Sequence, residues 1–357
     1  MKTLVLVQDY PNNFGGVNLK YVHTRCKYYV LHNVDVTVLN FKAKESYIYE
    51  NVPVITFKEY KKKKDNYDIL IVHAANVRNH YRFLKIYGKR FPRFLFFYHG
   101  HEIMKINKEY SAPYFYMKKR IVKRIGQDLY DTIKLKVWKW YLPQIIHKSD
   151  LVFVSKWMLD VFMTNIKLPD KLLRNRVHII YNSVGCDFES QSYKEGGDKE
   201  YDFITIRPNL DVSKYGIDIV NRLAKNSPLC KFLIVGKGRF FEYNTMSENV
   251  EWKNTALSHK EIIELLQNAR FALMPTRTDA QGVMACEMAA FGIPVITSDI
   301  PVCHEVFDGF DNVYFINNDD DNMSLNNYKN KQSRCMKDSR YFEDNTINKE
   351  IRIIQKL

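Results

Sequence analysis

The sequence contains two series of short apolar runs that alternate with longer segments of helical pattern, and a polar stretch separates the two series. Such alternation is what a parallel sheet with crossover helices requires. The polar stretch, residues 189–201 (ESQSYKEGGDKEY), contains glycine and has no hydrophobic period, which is typical of a linker. The pattern predicts two doubly wound α/β domains facing a cleft, at 1–188 and 202–338, with a closing helix at 339–357.

The predicted strands are short, rich in β-branched and aromatic residues, and bounded by polar segments. Those of the first half are TLVLVQ (3–8), VDVTVLN (34–40), DILIVHA (68–74), RFLFFYHG (93–100), DLVFVS (150–155) and VHIIYN (177–182). Those of the second half are DFITIR (202–207), KFLIVG (231–236), RFALMP (270–275), IPVITS (293–298) and NVYFIN (312–317), with helices near 215–226, 258–268 and 282–291.

Several strands of the first half end in a polar residue: His73, His99, Ser155 and Asn182. Ligands of open α/β sheets bind beyond the carboxyl ends of the strands. We therefore expect functional side chains at these positions.

The composition indicates a globular protein. The 357 residues suffice for two hydrophobic cores, and no run of 18 uncharged apolar residues occurs. The start, MKTLVLVQDY, predicts a first strand because its apolar run is too short for a signal sequence. The six cysteines show no zinc-site or disulfide spacing, so a reducing cytoplasm is expected.

The net charge of +14 is unevenly distributed. Residues 1–150 hold 28 Lys and Arg against 12 Asp and Glu, whereas residues 151–357 hold 26 against 28. This asymmetry indicates an anionic partner, either nucleic acid or a membrane surface, unless it reflects a general lysine bias.

Two cations follow the first strand of the second half. Arg207 ends that strand and Lys214 comes seven residues later. A guanidinium and an ammonium at one strand end can neutralise a diphosphate, although a solvated loop is the alternative. Gly236 and Gly238 end the next strand, where the lack of a side chain lets a ligand approach the backbone or simply permits a turn.

The segment TDAQGVMACEMAAFG (278–292) places Asp279 in a loop and Glu287 eight residues later in an apolar helix. Gly282, Val283 and Met284 lie at the helix start, where free N–H groups favour a phosphate or sugar oxygen. A carboxylate among apolar neighbours needs a hydrogen-bond partner, which the two hydroxyls of a ribose would supply to Glu287.

These motifs resemble the retaining glycosyltransferases of the two-Rossmann GT-B fold, in particular the large family 4 (group 1). The resemblance rests on TDAQGVMACEMAAFGIPVIT with its two acids, on Arg207, Lys214 and IVGKG, and on Glu305 in PVCHEVF. In the first half it rests on Gly15 and Gly16, on His99 in YHGHE, on Ser155 and on Asn182.

The resemblance implies a role for each matching position. Arg207 and Lys214 would hold the phosphates and stabilise the departing nucleotide. Glu287 would bind the ribose, and Gly282 to Met284 would contact the sugar and diphosphate. Gly15 and Gly16 would face the diphosphate and acceptor, and His99 would contact the transferred sugar.

Two positions depart from the family pattern. The first acid, usually Glu, is Asp279, which leaves the identity of the sugar open. Residues 183–188 read SVGCDF where GVD is common, so no role is assigned to Ser183, Gly185 or Asp187.

The resemblance also implies transfer from a nucleotide-diphosphate sugar, expected to be a UDP-sugar, with retention of anomeric configuration. No catalytic metal and no cofactor are expected. Asp279 and Glu287 are predicted substrate ligands rather than an acid/base pair. The acidic run 319–321 is predicted to be a solvated loop rather than a metal site.

The basic, aromatic stretch 113–142 predicts helices that bind an anionic membrane surface and deliver a glycan, polyprenyl-linked or glycolipid acceptor. A helix pair with a wet basic face is the alternative. Lys118, Lys119 and Arg120 are the cations chosen to test it. The enzyme would then be cytoplasmic or peripheral on the inner face of the membrane.

Two other functions remain open at this stage. A sugar-nucleotide epimerase shares the fold and binds a similar donor. A non-enzymatic protein that binds an anionic polymer would fit the charge, but no nucleic-acid-binding motif is present and we expect no nucleic-acid partner.

Overall fold

The computed structural model describes residues 1–15, 18–63, 65–118, 121–328, 331 and 335–356. Gly16, Lys119 and Arg120, which have predicted roles, lie outside the described residues. The chain divides into two compact units. The first unit comprises Met1–Ile106, Ile125–Ser183 and Glu343–Leu357, and the second comprises Asn107–Arg124 and Val184–Phe342.

In its described part, the first unit contains an eight-stranded sheet in the order β3-β4-β2-β1-β5-β6-β7-β8. Its strands are β1 Lys2–Val7, β2 Asp35–Asn40, β3 Tyr47–Tyr49, β4 Val52–Thr56, β5 Ile69–His73, β6 Arg93–Tyr98, β7 Ser149–Phe153 and β8 Val177–Ile179. Neighbouring strands are parallel except β3 and β4. β1 is central, and Leu4 pairs with Thr37 on one side and Leu70 on the other.

The central strands of this sheet are nearly continuous runs of Val, Ile, Leu and Phe because helices cover both faces of a parallel sheet. The helices from Lys20 to Leu173 are α1 Lys20–Leu31, α2 Phe57–Lys63, α3 Arg82–Tyr87, α4 Ile106–Glu109, α5 Ile121–Ile145, α6 Lys156–Ile166 and α7 Asp170–Leu173. Among the described residues, no helix combines the length and apolar character needed to span a bilayer.

The second unit contains a sheet in the order β11-β10-β9-β12-β13-β14, and all neighbouring strands are parallel. Its strands are β9 Tyr201–Asn209, β10 Phe232–Lys237, β11 Val250–Lys253, β12 Ala269–Met274, β13 Val295–Ser298 and β14 Val313–Ile316. Its helices are α8 Cys186–Ser190, α9 Ile217–Lys225, α10 Phe240–Tyr243, α11 His259–Gln267, α12 Val283–Phe291 and α13 Pro301–Phe307.

The last helix, α14 Ile347–Gln355, belongs to the first unit. Its apolar side chains join the core that also contains residues of α1. Arg25 on α1 donates from Nε to Glu350 Oε1 at 2.9 Å, and the Tyr29 hydroxyl donates to the other oxygen of Glu350. Both members of this ion pair are fully buried. The predicted closing helix, 339–357, thus contains a helix that packs on the first unit.

The compact units differ from the sequence-based division in several places, of which two bear on the site. The second unit begins at Val184 rather than after a linker at 189–201, because α8 packs with α11 and α12. It also includes Asn107–Arg124, a segment that the sequence-based division assigns to the first domain.

Candidate functional site

Arg207 occupies the carboxyl-terminal part of β9, and its side chain is buried. One Nη donates to the carbonyl of Pro275 at 2.7 Å, while Nε has no hydrogen-bond partner within the described part of the chain. Burial lowers the pKa of Arg207, and the nearby Asp279 carboxylate opposes this shift. A buried cation with an unfilled donor is costly unless an anion completes its hydrogen bonds.

Lys214 lies on the short 3₁₀ turn Ser213–Tyr215 that follows β9. Its ammonium lies 4.9 Å from the centre of the Tyr215 ring and 5.3 Å from that of Tyr110. The guanidinium of Arg207 also contacts the Tyr215 ring, at 5.0 Å. Burial lowers the pKa of Lys214, but Asp279 and the tyrosines outweigh this effect and the net shift is upward. The ammonium is therefore charged at neutral pH.

Asp279 lies in the loop between β12 and α12, beside Gly282. Asp279 Oδ1 accepts a hydrogen bond from the amide of Ala280 at 2.8 Å. Gly282 has a φ of 74°, a conformation that favours glycine, and no side chain caps the helix it begins. Val283 and Met284 form the first turn of α12 and are half-buried. The helix start can thus offer N–H groups to an oxygen ligand.

Hydrogen bonds hold the first part of this loop. The Thr276 amide donates to Ser298 Oγ at 2.8 Å, and Ser298 Oγ donates to Asn318 at 2.6 Å. Arg277 forms two bonds with the Asp218 carboxylate, at 2.9 and 2.6 Å. The backbone beside Arg207, Lys214 and Asp279 is therefore fixed before any ligand binds.

Glu287 lies in the second turn of α12 and is buried. Its Oε1 is 3.9 Å from His259 Nε2, and His259 Nδ1 is 3.3 Å from Asp187 Oδ2. His259 begins α11, whose start is fixed by a capping box of Ser258 and Glu261. Sequence reasoning missed His259, because no spacing in the chain reveals that the start of α11 approaches α12.

The two glycines after β10 have a structural role in addition to any ligand contact. A Cβ atom on Gly236 would lie 2.1 Å from the carbonyl oxygen of Arg207. A Cβ atom on Gly238 would lie 3.1 Å from the Cβ atom of Leu210. Gly236 is thus required for close packing of β10 against the end of β9, which positions Arg207.

In the first unit, His99 follows β6 and contacts His73 at the end of β5. His73 Nδ1 and His99 Nε2 are 3.0 Å apart, and the ring of Tyr21 lies 4.6 Å from that of His99. Burial and the positive charge of Arg25 lower the pKa of both histidines well below the usual range, with the His99 ring contributing at His73. His99 is therefore a neutral hydrogen-bonding group at physiological pH.

Buried charged residues hold the loop after His99. The Glu102 carboxylate accepts hydrogen bonds from the amides of His99 and Gly100. Lys134 Nζ donates to the carbonyls of His101 and Met104 at 2.6 and 2.8 Å and to Asp131 at 2.7 Å. These contacts fix the backbone conformation that presents the His99 ring.

The other predicted positions fall in three settings. Gly15 has a φ of 87° and open space where a Cβ would lie. Ser155 caps α6 by accepting from the Met158 amide at 3.1 Å, a structural role. In the acidic run 319–321, Asp321 pairs with Arg222 at 2.8 Å, and the described residues contain no cluster of acidic, His or Cys side chains suited to a metal ion.

The structure thus brings together Arg207, Lys214, Asp279 and Gly282 in the second unit, with Glu287 on the adjoining helix. His99 and Gly15 belong to the first unit. The roles of these residues toward a ligand stay predictions.

Comparison with known proteins gives a family match within the second unit. Residues 205–327 match the family model of the glycosyl transferases group 1. No curated protein matches the sequence.

Solved structures of GT-B glycosyltransferases share the fold at low sequence identity. HepE of Anabaena, solved in complex with UDP, has 14% identity and a TM-score of 0.69, with full coverage of both chains. Sucrose-phosphate synthase of Thermosynechococcus elongatus has 12% identity and a TM-score of 0.66 over 90% of this chain and 87% of its own. WaaG, a glycosyltransferase of lipopolysaccharide biosynthesis, has 13% identity and a TM-score of 0.64 over 92% and 90%. The predicted GT-B fold is confirmed.

Proposed function

We propose that the chain transfers a sugar from a UDP-sugar to a glycan or lipid-linked acceptor of cell-surface polysaccharide or glycolipid synthesis. The proposal is supported by the GT-B fold and by the match of residues 205–327 to the group 1 glycosyltransferase model. The carrying observation is the buried Arg207, whose Nε has no partner within the described residues, beside the charged Lys214. Two cations at one strand end suit a diphosphate far better than a neutral ligand.

The roles of the donor-binding residues follow from this arrangement. Arg207 and Lys214 neutralise the charge that develops on the leaving diphosphate, and the backbone from Gly282 to Met284 donates hydrogen bonds to its oxygens. Glu287 accepts hydrogen bonds from the ribose hydroxyls, and His259 lies 3.9 Å from its carboxylate. Gly236 holds the backbone of Arg207 in place.

Asp279 and His99 are assigned to the transferred sugar, and Gly15 and Gly16 to the diphosphate and acceptor. Asp279 is half-buried and lies near the helix start, where a hexose bonded to the diphosphate would extend. His99 is neutral, so it offers hydrogen bonds to hydroxyl groups without adding charge.

The reaction that we propose retains the anomeric configuration. The bond from the anomeric carbon to the phosphate oxygen breaks, and a bond to the acceptor oxygen forms on the same face. The acceptor's hydroxyl proton passes to the departing phosphate oxygen. No metal ion takes part in this scheme, since the two cations of the chain stabilise the leaving group.

UDP is the proposed carrier of the donor sugar, because HepE of Anabaena was solved with UDP and with UDP and glucose.

The deciding experiment incubates the protein with a panel of nucleotide-sugars, with and without glycan and polyprenyl-phosphate acceptors, and analyses the products by mass spectrometry. Transfer to an acceptor supports the proposal. Conversion of the donor sugar alone would identify an epimerase, and the absence of both a product and slow donor hydrolysis would indicate a binding protein.

We also propose that the first unit binds an anionic membrane surface from the cytoplasmic side. On α5, the apolar side chains of Ile125, Leu129 and Ile133 recur every four residues and are 62%, 60% and 49% exposed. Lys136 and Lys139, further along the helix, are also exposed. An apolar stripe with flanking lysines suits a headgroup interface, where the rings and aliphatic chains sink and the lysines remain at the surface.

Co-sedimentation with phosphatidylglycerol-containing vesicles tests this surface. The double variant Ile125→Asp/Leu129→Asp should lose most of its binding. Ile48→Asp/Ile86→Asp is the matched control, because Ile48 and Ile86 are exposed to a similar extent, 65% and 67%, on other elements of the unit. Equal binding by both variants would contradict the membrane proposal, and equal binding to neutral phosphatidylcholine vesicles would contradict its electrostatic part.

A further inference from the structure

A segment from the first half of the chain contacts the loop that carries Lys214. Residues 107–124, which run from α4 into the first turn of α5, belong to the second unit although most of the preceding and following chain belongs to the first. We use the name arm for residues 110–117 (YSAPYFYM). The arm includes the short 3₁₀ turn Phe115–Met117.

Four side chains of the arm each contact a different residue between 211 and 218. The Tyr110 ring faces the ammonium of Lys214, and Ser111 Oγ lies 3.0 Å from Ser213 Oγ. The hydroxyl of Tyr114 donates to Asp218 Oδ1 at 2.8 Å, and that of Tyr116 donates to Asp211 Oδ1 at 2.9 Å. The arm therefore contacts this loop on both sides of Lys214.

The arm is anchored independently of Lys214. The rings of Tyr116 and Tyr243 stack, with centroids 4.4 Å apart and planes within 5° of parallel. Asp218, which accepts from Tyr114, is also held by Arg277, and Arg277 donates to the carbonyl of Ser213 at 2.8 Å. Because these anchors fix the backbone of the arm, the Tyr110 ring presents a defined surface to the lysine.

Lys214 thus lies near two aromatic rings, Tyr110 on the arm and Tyr215 on its own turn. A lysine side chain is flexible, and a cation within about 6 Å of an aromatic face is attracted to it. Two such faces restrict the ammonium to a small region beside Arg207, which shares the Tyr215 ring. The lysine is then oriented before a phosphate arrives.

We infer that Tyr110 is a positioning residue, which acts through Lys214 to preorganise the diphosphate site. This inference rests on the proposed function, since it takes Lys214 as a phosphate ligand. It assigns a role to a residue of the chain's first half in binding the donor by the second unit. Nothing in the sequence around Tyr110 indicates this role.

Calorimetric titration with UDP tests the inference. Tyr110→Leu removes the aromatic face and should weaken UDP binding about threefold to thirtyfold, the range expected for a cation–π contact. Tyr110→Phe keeps the face and should restore most of the affinity. Phe115→Leu is the matched control, because Phe115 lies on the same arm, is exposed and makes no contact with Lys214.

A double-mutant cycle with Lys214→Met shows whether Tyr110 acts through the lysine. The combined variant Tyr110→Leu/Lys214→Met should bind UDP no more weakly than Lys214→Met alone. Thermal unfolding midpoints of Tyr110→Leu and Phe115→Leu should agree, which separates positioning from a loss of folding.

The outcomes distinguish the inference from the proposed function. If Tyr110→Leu binds UDP as tightly as Phe115→Leu while Lys214→Met binds weakly, or if the effects of the two substitutions add fully, the inference is wrong and the proposed function stands. If the unaltered protein binds none of UDP, ADP and GDP, the proposed function is wrong.

Discussion

The two units differ in what lies beside their buried arginines. In the first unit, Arg25 forms an ion pair with the buried Glu350, although one of its Nη atoms has no hydrogen-bond partner among the described residues, and burial keeps His73 and His80 neutral. In the second unit, Arg207 and Lys214 stay charged beside a loop, and Arg207 keeps an unfilled donor among the described residues. A fixed neutral surface suits the hydroxyl groups of sugars, whereas an incompletely satisfied cationic site suits a diphosphate.

The largest expected effect concerns the one buried acid assigned to the donor. Glu287→Ala should reduce transfer by about 150-fold to 25,000-fold, because two charge-assisted hydrogen bonds to a ribose are worth about 3–6 kcal/mol together. Initial rates at saturating acceptor measure it. Circular dichroism should show that the variant remains folded.

Glu264→Ala is the control for Glu287→Ala, since Glu264 is an exposed acid on α11 of the same unit. It should leave the rate unchanged. Transfer by Glu287→Ala at the unaltered rate would remove Glu287 from the site, and the second unit would then bury an acid without functional reason, as the first unit does.

A second prediction compares an ion pair from each unit. Arg25→Met leaves Glu350 buried without its cation and should destabilise the first unit by about 3–5 kcal/mol. Arg277→Met breaks a partly exposed pair with Asp218 in the second unit and should cost about 1 kcal/mol. Urea unfolding of each unit gives the two values.

The tryptophans allow the first unit to be followed alone. Trp138, Trp140 and Trp157 lie in it, and Trp252→Phe removes the only tryptophan of the second unit's sequence. In that background, Arg25→Met/Glu350→Leu should recover most of the stability lost by Arg25→Met. Equal losses for Arg25→Met and Arg277→Met would show that the two units do not differ in this respect.

A third prediction concerns the stability of the first unit at low pH. Burial lowers the pKa of His80 to about 3, below the ordinary value of about 6.5 that it takes in the unfolded chain. The unfolded state therefore binds more protons below about pH 6.5, so the stability contributed by neutral His80 is complete above that pH and decreases as the pH falls. Between pH 7 and pH 5 this single group should cost about 2 kcal/mol.

His80→Phe should reduce this acid sensitivity, because the ring lies in an aromatic setting 5.1 Å from that of Phe41 and phenylalanine takes no proton. Urea unfolding of the Trp252→Phe background at pH 7 and pH 5, with and without His80→Phe, measures the difference. The raised pKa values of the buried Glu102 and Glu350 act in the opposite direction and are common to both proteins. Identical losses of stability would contradict the prediction.

Most strands of the two sheets could be predicted from the sequence, because buried parallel strands are nearly continuous apolar runs, such as ILIVH and FLIVG. All eleven predicted strands occur, whereas β3, β4 and β11 were missed. β3 is an antiparallel edge strand of three residues, and β11 carries Glu251 and Lys253 at half-buried positions, so neither has the apolar run of a buried strand.

The placement of a candidate residue was predictable where it follows from position along one strand or helix, as for Arg207, Asp279 and Glu287, whose roles stay predictions. It was not predictable where it depends on distant segments that meet in space. Tyr110 is 104 residues from Lys214, and His259 belongs to a different helix from Glu287. The sequence suggested that Gly236 lets a ligand approach the backbone. The structure shows in addition that Gly236 lets β10 pack closely against the backbone of Arg207.

The smallest expected effect tests whether Asp279 serves the sugar or the phosphates. Its carboxylate influences both Arg207 and Lys214, yet it is one methylene shorter than the glutamate usual at this position. Asp279→Glu should change the ratio of kcat/KM between UDP-glucose, UDP-galactose and UDP-N-acetylglucosamine about fivefold to tenfold, the worth of one hydrogen bond of about 1 kcal/mol. UDP affinity should remain unchanged, because UDP lacks the transferred sugar that the longer side chain would contact. Asp279→Asn, which keeps the length and removes the charge, is the control. If Asp279→Glu alters UDP affinity and leaves the sugar ratio intact, Asp279 belongs with the cations of the diphosphate site, and discrimination between sugars must then come from the neutral groups of the first unit.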